Sequence, residues 1–200
     1  ARGQLERLQT DHIDFYLLHS LDADHWRCVV EQDQLASAER ALADGRIGHL
    51  GFSFHGTPED FETILAATDL WEFVQIQYNY MDEEYQAGRR GLETAAAKGL
   101  GVIVMEPVRG GALAGSVPPQ VQAVWDEARV RRSPAEWALQ WVWNHPQVSF
   151  LLSGMSTMAS ALEMAVIDTD SATLPPARCV RMLLTLPGGQ QATRIMPSAM

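Results

Sequence analysis

The stretch Asp11-His-Ile-Asp-Phe-Tyr-Leu-Leu-His-Ser20 decides the fold of this chain. Its apolar and aromatic run, residues 13–18, is too short for an ordinary helix and predicts a buried strand. The strand is expected to stop at the polar pair His19 and Ser20, before a loop over residues 21–24. Because chemistry in parallel α/β folds collects at the carboxyl ends of strands, His19 is the first candidate site residue.

Composition narrows the class of protein. The 200 residues suffice for one domain with its own core, and 46% of them are hydrophobic. A net charge of −10 argues against a nucleic-acid partner, because phosphate binding requires clustered lysine and arginine. No apolar run approaches the roughly 18 residues of a membrane span, so no membrane partner is expected, and no signal peptide is recognisable. Cys28 and Cys179 lie in no metal-ligand spacing, which favours a reduced, cytoplasmic setting.

Strand and helix patterns alternate along the whole chain. After the first strand, strands are predicted at residues 47–54, 73–80, 101–107 and 148–154. Helices are predicted at residues 26–44, 57–68, 84–98, 119–130, 133–144 and 157–167. Thr57 is the expected N-cap of the second helix, with Pro58 at its first position and Asp60 three residues after Thr57, and Ser133-Pro134 caps the fifth. Such alternation predicts an α/β protein with a parallel sheet and helical crossovers.

Each predicted strand ends in polar or glycine-bearing residues, at His19, Ser53, Gln75 to Asn79, Glu106 and Ser153-Gly154. Polar residues gathered at the carboxyl ends of the strands are typical of a (β/α)8 barrel. A doubly wound sheet would instead carry a G-x-G-x-x-G motif after a strand. A closed barrel needs eight strands and roughly 250 residues. Five βα units therefore predict an incomplete (β/α)8 TIM barrel over residues 1–168, cut inside a domain at Ala1, with a poorly defined tail over residues 169–200.

An incomplete parallel barrel leaves two strand edges without a partner. The sequence places these edges at residues 13–18 and 148–152, and both segments are strongly apolar. Apolar edges pair readily with other chains. The chain is therefore expected to self-associate through its open barrel edges.

Five segments follow one another in a fixed order. They are Leu5-Glu-Arg-Leu-Gln-Thr-Asp-His-Ile-Asp-Phe-Tyr-Leu-Leu-His19, Ala41-Leu-Ala-Asp-Gly-Arg-Ile-Gly-His-Leu-Gly-Phe-Ser53, Val74-Gln-Ile-Gln-Tyr-Asn79, Val104-Met-Glu-Pro-Val-Arg-Gly-Gly111 and Leu152-Ser-Gly-Met-Ser156. Together they resemble the last five barrel strands of the aldo-keto reductases. The resemblance covers roughly residues 4 to 167.

The resemblance implies an NAD(P)H-dependent oxidoreductase that passes a hydride to a small carbonyl substrate. The family's catalytic group comprises a Tyr that protonates the forming alkoxide, a Lys and an Asp that tune it, and a His that orients the carbonyl. The His position alone maps onto this chain, at His19, where a neutral imidazole can donate a hydrogen bond to the carbonyl oxygen. No tyrosine of the chain matches the catalytic position, and Lys98, the single lysine, precedes a strand and so falls on the opposite face. The 200-residue chain by itself is therefore expected to be inactive, as a fragment of the family's fold.

The resemblance also implies which residues hold the nicotinamide of NADPH or NADH. Ser53 and Gln75 match side chains that hydrogen-bond the nicotinamide carboxamide, and Phe54 stands beside that contact. Met105 takes the place where many relatives stack an aromatic ring on the nicotinamide, and a polarizable thioether can substitute for that ring.

The rest of the cofactor is matched by a loop and by residues after the last strand. The loop that passes along the pyrophosphate, where glycines allow close backbone approach, comprises Glu106, Pro107, Val108, Gly110 and Gly111. Ser156 and Glu163 match positions around the adenosine. Met164 replaces the asparagine that usually follows Glu163, and residues 154–160 carry no positive charge for a 2′-phosphate. The choice between NADH and NADPH therefore stays open.

Other interpretations remain beside the reductase. The same scaffold could serve as a non-catalytic cofactor-binding or regulatory protein, and the unusual sequence after Leu186 also allows a degraded reading frame. The series His19, Asp22 and His25, with the further histidines His49 and His55, could belong to a metal-dependent hydrolase. Against this, His49 sits within a strand and no second cluster converges. The tryptophans of the helix over residues 133–144 are interpreted as packing residues.

Overall fold

The computed structural model describes residues 2–115, 117–154, 181–185 and 191–195 of the chain. The chain divides into two compact units. The first comprises Ala1–Gln77 with Asp82–Ile103, and the second comprises Tyr78–Met81 with Val104–Met200.

Three parallel strands with helical crossovers make up the first unit. Strand β1 pairs with β2, and β2 with β3, both in parallel, as helical connections require. The strands are β1 (Ile13–Leu21), β2 (Ile47–Phe54) and β3 (Trp71–Gln77), and the helices are α1 (Arg2–Leu8), α2 (Ala23–Glu31), α3 (Gln34–Ala43), α4 (Pro58–Ala66) and α5 (Gly88–Ala97).

Aromatic side chains fill the space between β2 and α4. Phe52 and Phe54 are fully buried, and each lies against Phe61 of α4, with ring centroids 5.8 and 5.0 Å away. The indole Nε1 of Trp71 donates to the Ile64 carbonyl oxygen at 3.0 Å, so this large ring is buried with its polar atom paired. This cluster anchors the strand that carries Ser53.

The predicted start of α4 is confirmed. The Thr57 hydroxyl accepts from the Asp60 amide at 3.2 Å, and the Asp60 carboxylate accepts from the Thr57 amide at 3.0 Å, with Pro58 at the first helical position. The single helix predicted over residues 26–44 is wrong, because the chain breaks it into α2 and α3. Asp33 between them has a left-handed φ of 52°, a conformation that aspartate tolerates better than most residues.

Strand β1 differs from the prediction in both length and burial. It does not stop at His19 but continues through Ser20 to Leu21, which is buried opposite Phe54. The run predicted as buried is largely accessible, since Phe15 is 58% exposed and stacks on His49. Among the described residues β2 is the only strand paired with β1, so β1 is an edge strand there.

The second unit contains the end of β4 (Gly101–Met105), a one-turn 3-10 helix (Arg109–Gly111), α6 (Pro119–Asp126), α7 (Pro134–Trp143), β5 (Val148–Ser153), β6 (Arg181–Thr185) and β7 (Gln191–Ile195). Helix α7 begins with the predicted cap, in which Ser133 and Glu136 each bond the other's backbone amide. It buries Ala138, Leu139 and Val142.

Within residues 169–200, for which the sequence predicts only a poorly defined tail, the structure describes two short strands, at residues 181–185 and 191–195. Strand β6 pairs in parallel with the end of β5, and β7 pairs antiparallel with β6. The prediction that residues 148–152 form an open edge is therefore wrong at Leu152, which lies opposite Leu183. The helix predicted over residues 157–167 lies outside the described residues.

The α/β class and the alternation of strands with helices are confirmed. Over the residues that the structure covers, none of the helices combines the length and the apolar character needed to cross a bilayer.

Candidate functional site

A β-bulge shapes the carboxyl end of β1. Leu18 lies opposite Phe52 and Leu21 lies opposite Phe54, so both His19 and Ser20 face the single residue Ser53. Ser20 takes a left-handed φ of 58° to make room for the extra residue. Bulges of this kind redirect side chains, and they are frequent beside active sites.

The imidazole of His19 is accessible at this bulge. Its residue is exposed, and the ring has no hydrogen-bond partner among the residues that the structure describes. An imidazole without a protein partner can donate a hydrogen bond to a ligand and accept one from it. The geometry therefore leaves His19 available for the carbonyl contact that the sequence predicts.

The hydroxyl of Ser53 is held in a fixed orientation by the same bulge. The Ser20 amide donates to Ser53 Oγ at 2.7 Å, and Ser53 is only 1% exposed. Because a hydroxyl has one proton and two acceptor sites, this bond leaves the Ser53 proton able to donate elsewhere. Ser53 lies opposite the half-buried Gln75 on β3, and directly opposed residues share a face of the sheet. The first unit thus brings a hydroxyl and an amide side chain together.

Phe54 occupies a different position from its neighbour Ser53. Its ring is fully buried against Phe52 and Phe61, on the helix side of β2. Its contribution to a bound ligand is consequently limited to its backbone, while the ring anchors the strand.

The loop after β4, in the second unit, relies on unusual backbone angles. Glu106, Arg109, Gly110 and Gly111 all have positive φ values, of 57°, 50°, 61° and 91°. A Cβ atom built on Gly111 would meet nothing within 4 Å, so this glycine is required by its backbone conformation and not by crowding. The loop therefore leaves open space beside its backbone.

Glu106, at the start of this loop, accepts hydrogen bonds from two later residues of the same loop. Its carboxylate accepts a hydrogen bond from the Gly110 amide, and its carbonyl oxygen accepts from the Arg109 amide at 3.0 Å. The Glu106 side chain is exposed. A negatively charged group thus already sits on a backbone N–H of the loop, as a phosphate would.

Asn79 supports the loop, although the sequence did not indicate that role. It is fully buried, its Nδ2 donates to the Glu106 carbonyl oxygen at 3.1 Å, and its Oδ1 accepts from the Met81 amide at 3.0 Å. The sequence placed Asn79 only among the polar residues, Gln75 to Asn79, that end the predicted third strand. Its position two residues after β3, where asparagine favours turns, was the available signal.

The remaining predicted site residues that the structure describes are at least half-buried. Met105 and Val108 are half-buried and Pro107 is buried. The Met105 carbonyl oxygen accepts from the Tyr78 amide at 3.2 Å. Ser156 and Glu163 lie outside the described residues.

Two residues of the alternative metal-binding series, Asp22 and His25, take part in capping helix α2. Asp22 is the N-cap of α2, and its carboxylate accepts from the His25 amide at 2.8 Å and contacts the His25 ring Nδ1 at 2.9 Å. The hydrogen bond from the His25 amide is the main cause that lowers the pKa of Asp22 below its usual value. Across the described ranges, no group of three or more histidine, cysteine or acidic residues could hold a metal ion.

Comparisons with known proteins point to one family. The sequence profile of the "Aldo/keto reductase family" matches residues 1–166. An uncharacterized oxidoreductase, YrpG, of Bacillus subtilis (strain 168) is 31% identical over 121 residues, which are 56% of this chain and 34% of that protein.

Solved structures give the same result for the fold. The holo form of aldo-keto reductase AKR11C1 from Bacillus halodurans superimposes with a TM-score of 0.68 at 23% identity, over 87% of this chain and 60% of that one. An aldo-keto reductase from Klebsiella pneumoniae in complex with NADPH gives 0.63 at 22%, over 83% and 56%. The chain therefore has the fold of an incomplete TIM barrel, and it spans about a third of the curated relative and about 60% of the first of these structures.

Proposed function

Given that the chain belongs to the aldo/keto reductase family, we propose that it carries the carboxyl-terminal part of an NAD(P)H-dependent carbonyl reductase. The observation that carries this proposal is the Ser20 amide bond to Ser53 Oγ at 2.7 Å. It fixes the Ser53 hydroxyl as a donor opposite Gln75, which is the pairing that a carboxamide needs.

The nicotinamide positions fit a carboxamide on chemical grounds. A carboxamide offers one carbonyl oxygen and one NH₂ group. The Ser53 proton can bond the oxygen, and the Gln75 amide can bond either group. Both residues stand on paired strands, so their separation is set by the sheet and not by mobile loops.

The loop of Glu106 to Gly111 fits an anionic pyrophosphate. Glycines with φ values of 61° and 91° keep its backbone accessible, and the Gly110 amide already holds the Glu106 carboxylate. A phosphate oxygen would replace that carboxylate on the same N–H group. Asn79 holds the Glu106 carbonyl oxygen and so fixes the start of the loop.

When bound, NAD(P)H would supply the hydride. His19 would orient the carbonyl, because its exposed imidazole can donate a hydrogen bond to the oxygen that gains negative charge. Since no residue of this chain takes the family's Tyr, Lys or Asp positions, the 200 residues alone are proposed to bind cofactor without reducing a carbonyl. The alternative is a non-catalytic cofactor-binding or regulatory protein on the same scaffold.

Titration of the 200-residue chain with NADPH and with NADH, followed by tryptophan fluorescence, tests this proposal. We expect saturable binding of one or both at roughly micromolar concentration, and no consumption of NADPH when 4-nitrobenzaldehyde is added. ATP serves as the control ligand. Absence of binding for both dinucleotides would contradict the cofactor role, and steady NADPH consumption would contradict the proposed inactivity of the chain alone.

The coding sequence upstream of Ala1 separates the reductase from the regulatory alternative. An Asp and a Tyr after a first barrel strand, with a Lys after the third, would establish the reductase. A different upstream sequence would favour the cofactor-binding role.

A cytoplasmic location and self-association complete the proposal. The exposed, free thiol of Cys28 supports a reducing compartment. Strand β1, with its exposed Phe15, supports pairing with a second copy. Light scattering after size exclusion tests the latter, and a monodisperse monomer would contradict it.

A further inference from the structure

A cavity of about 540 Å³ lies in the second unit, between α6, α7 and the turn after β3. Its size falls within the range of small-molecule sites, roughly 300–1,000 Å³. None of the predicted cofactor or catalytic residues lines it. It is therefore a separate feature from the site described above.

Flat aromatic rings form the walls of this cavity. Trp125 of α6 stacks on Trp137 of α7, with ring centroids 5.9 Å apart and planes inclined by 25°. Tyr80 meets Trp141 edge-on at 6.3 Å. Within α6 no residue is buried, so its apolar residues face the cavity or solvent and not a core. The prediction that the α7 tryptophans serve packing fits the buried Trp143, whereas Trp137 and Trp141 line the cavity.

The cavity carries one positive charge and no negative charge. Arg132 is its single charged lining residue, and the guanidinium lies 4.8 Å from the ring centroid of Trp137. Among the described residues Arg132 forms no ion pair, whereas its neighbour Arg131 pairs with Asp126. A guanidinium presents a planar set of donors that suits a carboxylate.

Other lining groups add donors. The Tyr80 hydroxyl has no hydrogen-bond partner among the described residues, and burial raises the pKa of Tyr80, so it keeps its proton near neutral pH. The side-chain amides of Gln140 and Asn144 also lie on the wall and can each donate. A ligand with acceptor oxygens would satisfy these groups, whereas a cation would oppose Arg132.

We propose that this cavity binds a planar aromatic carboxylate, with the ring against the tryptophan side chains that line the cavity and the carboxylate on Arg132. The ring would stack as aromatic pairs do, offset or edge-on. The carboxylate would receive charge-assisted hydrogen bonds from the guanidinium, with Tyr80 as a further donor.

Calorimetric titration of the full 200-residue chain with 2-naphthoate tests the proposal. The neutral 2-naphthamide and the cationic 2-naphthylmethylammonium serve as probes of equal shape. We expect 2-naphthoate to bind at least about tenfold more tightly than either, a difference of about 1.4 kcal/mol. Arg132→Gln should abolish that preference, and Trp125→Leu should weaken all three probes.

The matched control is Arg129→Gln, which removes the same charge from an exposed residue that does not line the cavity. It should leave the 2-naphthoate affinity unchanged, as should Ser53→Ala with Gln75→Ala. Equal affinity for the acid and the amide, equal losses in the Arg132 and Arg129 variants, or no binding of 2-naphthoate would each overturn the proposal.

Discussion

Gly51 in the first unit and Gly111 in the second both have to be glycine, but for opposite physical reasons. A Cβ on Gly51 would lie 2.5 Å from the Phe73 carbonyl oxygen and 2.6 Å from the Phe73 ring. A Cβ on Gly111 would meet nothing within 4 Å, yet the backbone there has a φ of 91°. Crowding fixes the first glycine, and backbone conformation fixes the second.

Under the proposed function, this difference sets how each unit would contact the cofactor. Around Gly51 the strands pack closely, so the side chains of Ser53 and Gln75 would provide the contact. Around Gly111 there is open space, so the backbone of the turn would provide it. The proposal therefore assigns recognition to side chains in the first unit and to the backbone in the second.

The largest expected effect comes from Gly51→Ala. The new methyl group would have to push apart β2 and β3, because the nearest atoms belong to backbone and to a buried ring. We expect a loss of about 3 kcal/mol in the free energy of unfolding, measured by urea denaturation. Gly3→Ala is the control, since that helical position is open and alanine favours a helix. A Gly51→Ala loss no larger than that of the control would show that β2 and β3 are less closely packed.

Asn79→Ala is expected to rank second. It removes two hydrogen bonds of a fully buried side chain and leaves the Glu106 carbonyl oxygen and the Met81 amide without this partner. The expected loss is about 2 kcal/mol in the same experiment. Asn79→Asp keeps the acceptor for Met81 and loses the donor to Glu106. If both variants matched the wild type, Asn79 would not hold the loop.

Gly111→Ala should cost less, about 1 kcal/mol, because strain arises only from the left-handed backbone. Gly115→Ala is the control, since its nearest contact would be an ordinary 4.0 Å. Urea denaturation of both variants measures the difference. Equal losses at Gly111 and Gly115 would mean that backbone conformation does not require glycine at position 111, and the contrast with the crowded Gly51 would be lost.

The smallest effect concerns Asp22, at the end of β1. Its pKa is lowered in the folded chain, chiefly by the His25 amide. The ionised carboxylate therefore adds stability above its usual pKa, and this contribution is lost as the pH falls through the lower folded value. Asp22→Asn retains a capping oxygen without the charge. Unfolding of both forms, from about pH 6 to about pH 2, should show a small wild-type advantage that vanishes in acid. An advantage that grows in acid would contradict this assignment.

The sequence predicted the elements that are set by local chemistry. The caps at Thr57 and Ser133 follow from side chains that bond amides three residues away, and β2 was predicted with its observed bounds because its apolar pattern is continuous. Local signals of this kind need no knowledge of tertiary contacts.

Features that depend on distant partners were not predictable. The bulge at His19 and Ser20 arises from the pairing with Ser53, and nothing in a histidine–serine pair indicates a left-handed residue. The bond from Asn79 to Glu106 joins residues 27 positions apart. Strands β6 and β7 lie in a stretch whose sequence gave no clear periodicity, and they form by pairing with each other and with β5.

The most direct test of the site is an NADPH titration of three forms of the chain. These are the wild type, the Ser53→Ala/Gln75→Ala pair, and the Ser37→Ala/Gln32→Ala pair, which changes the same residue types at exposed positions. Side-chain recognition in the first unit predicts that the first pair loses at least about tenfold in affinity and that the exposed pair binds like the wild type. Equal affinity in all three forms would contradict the account.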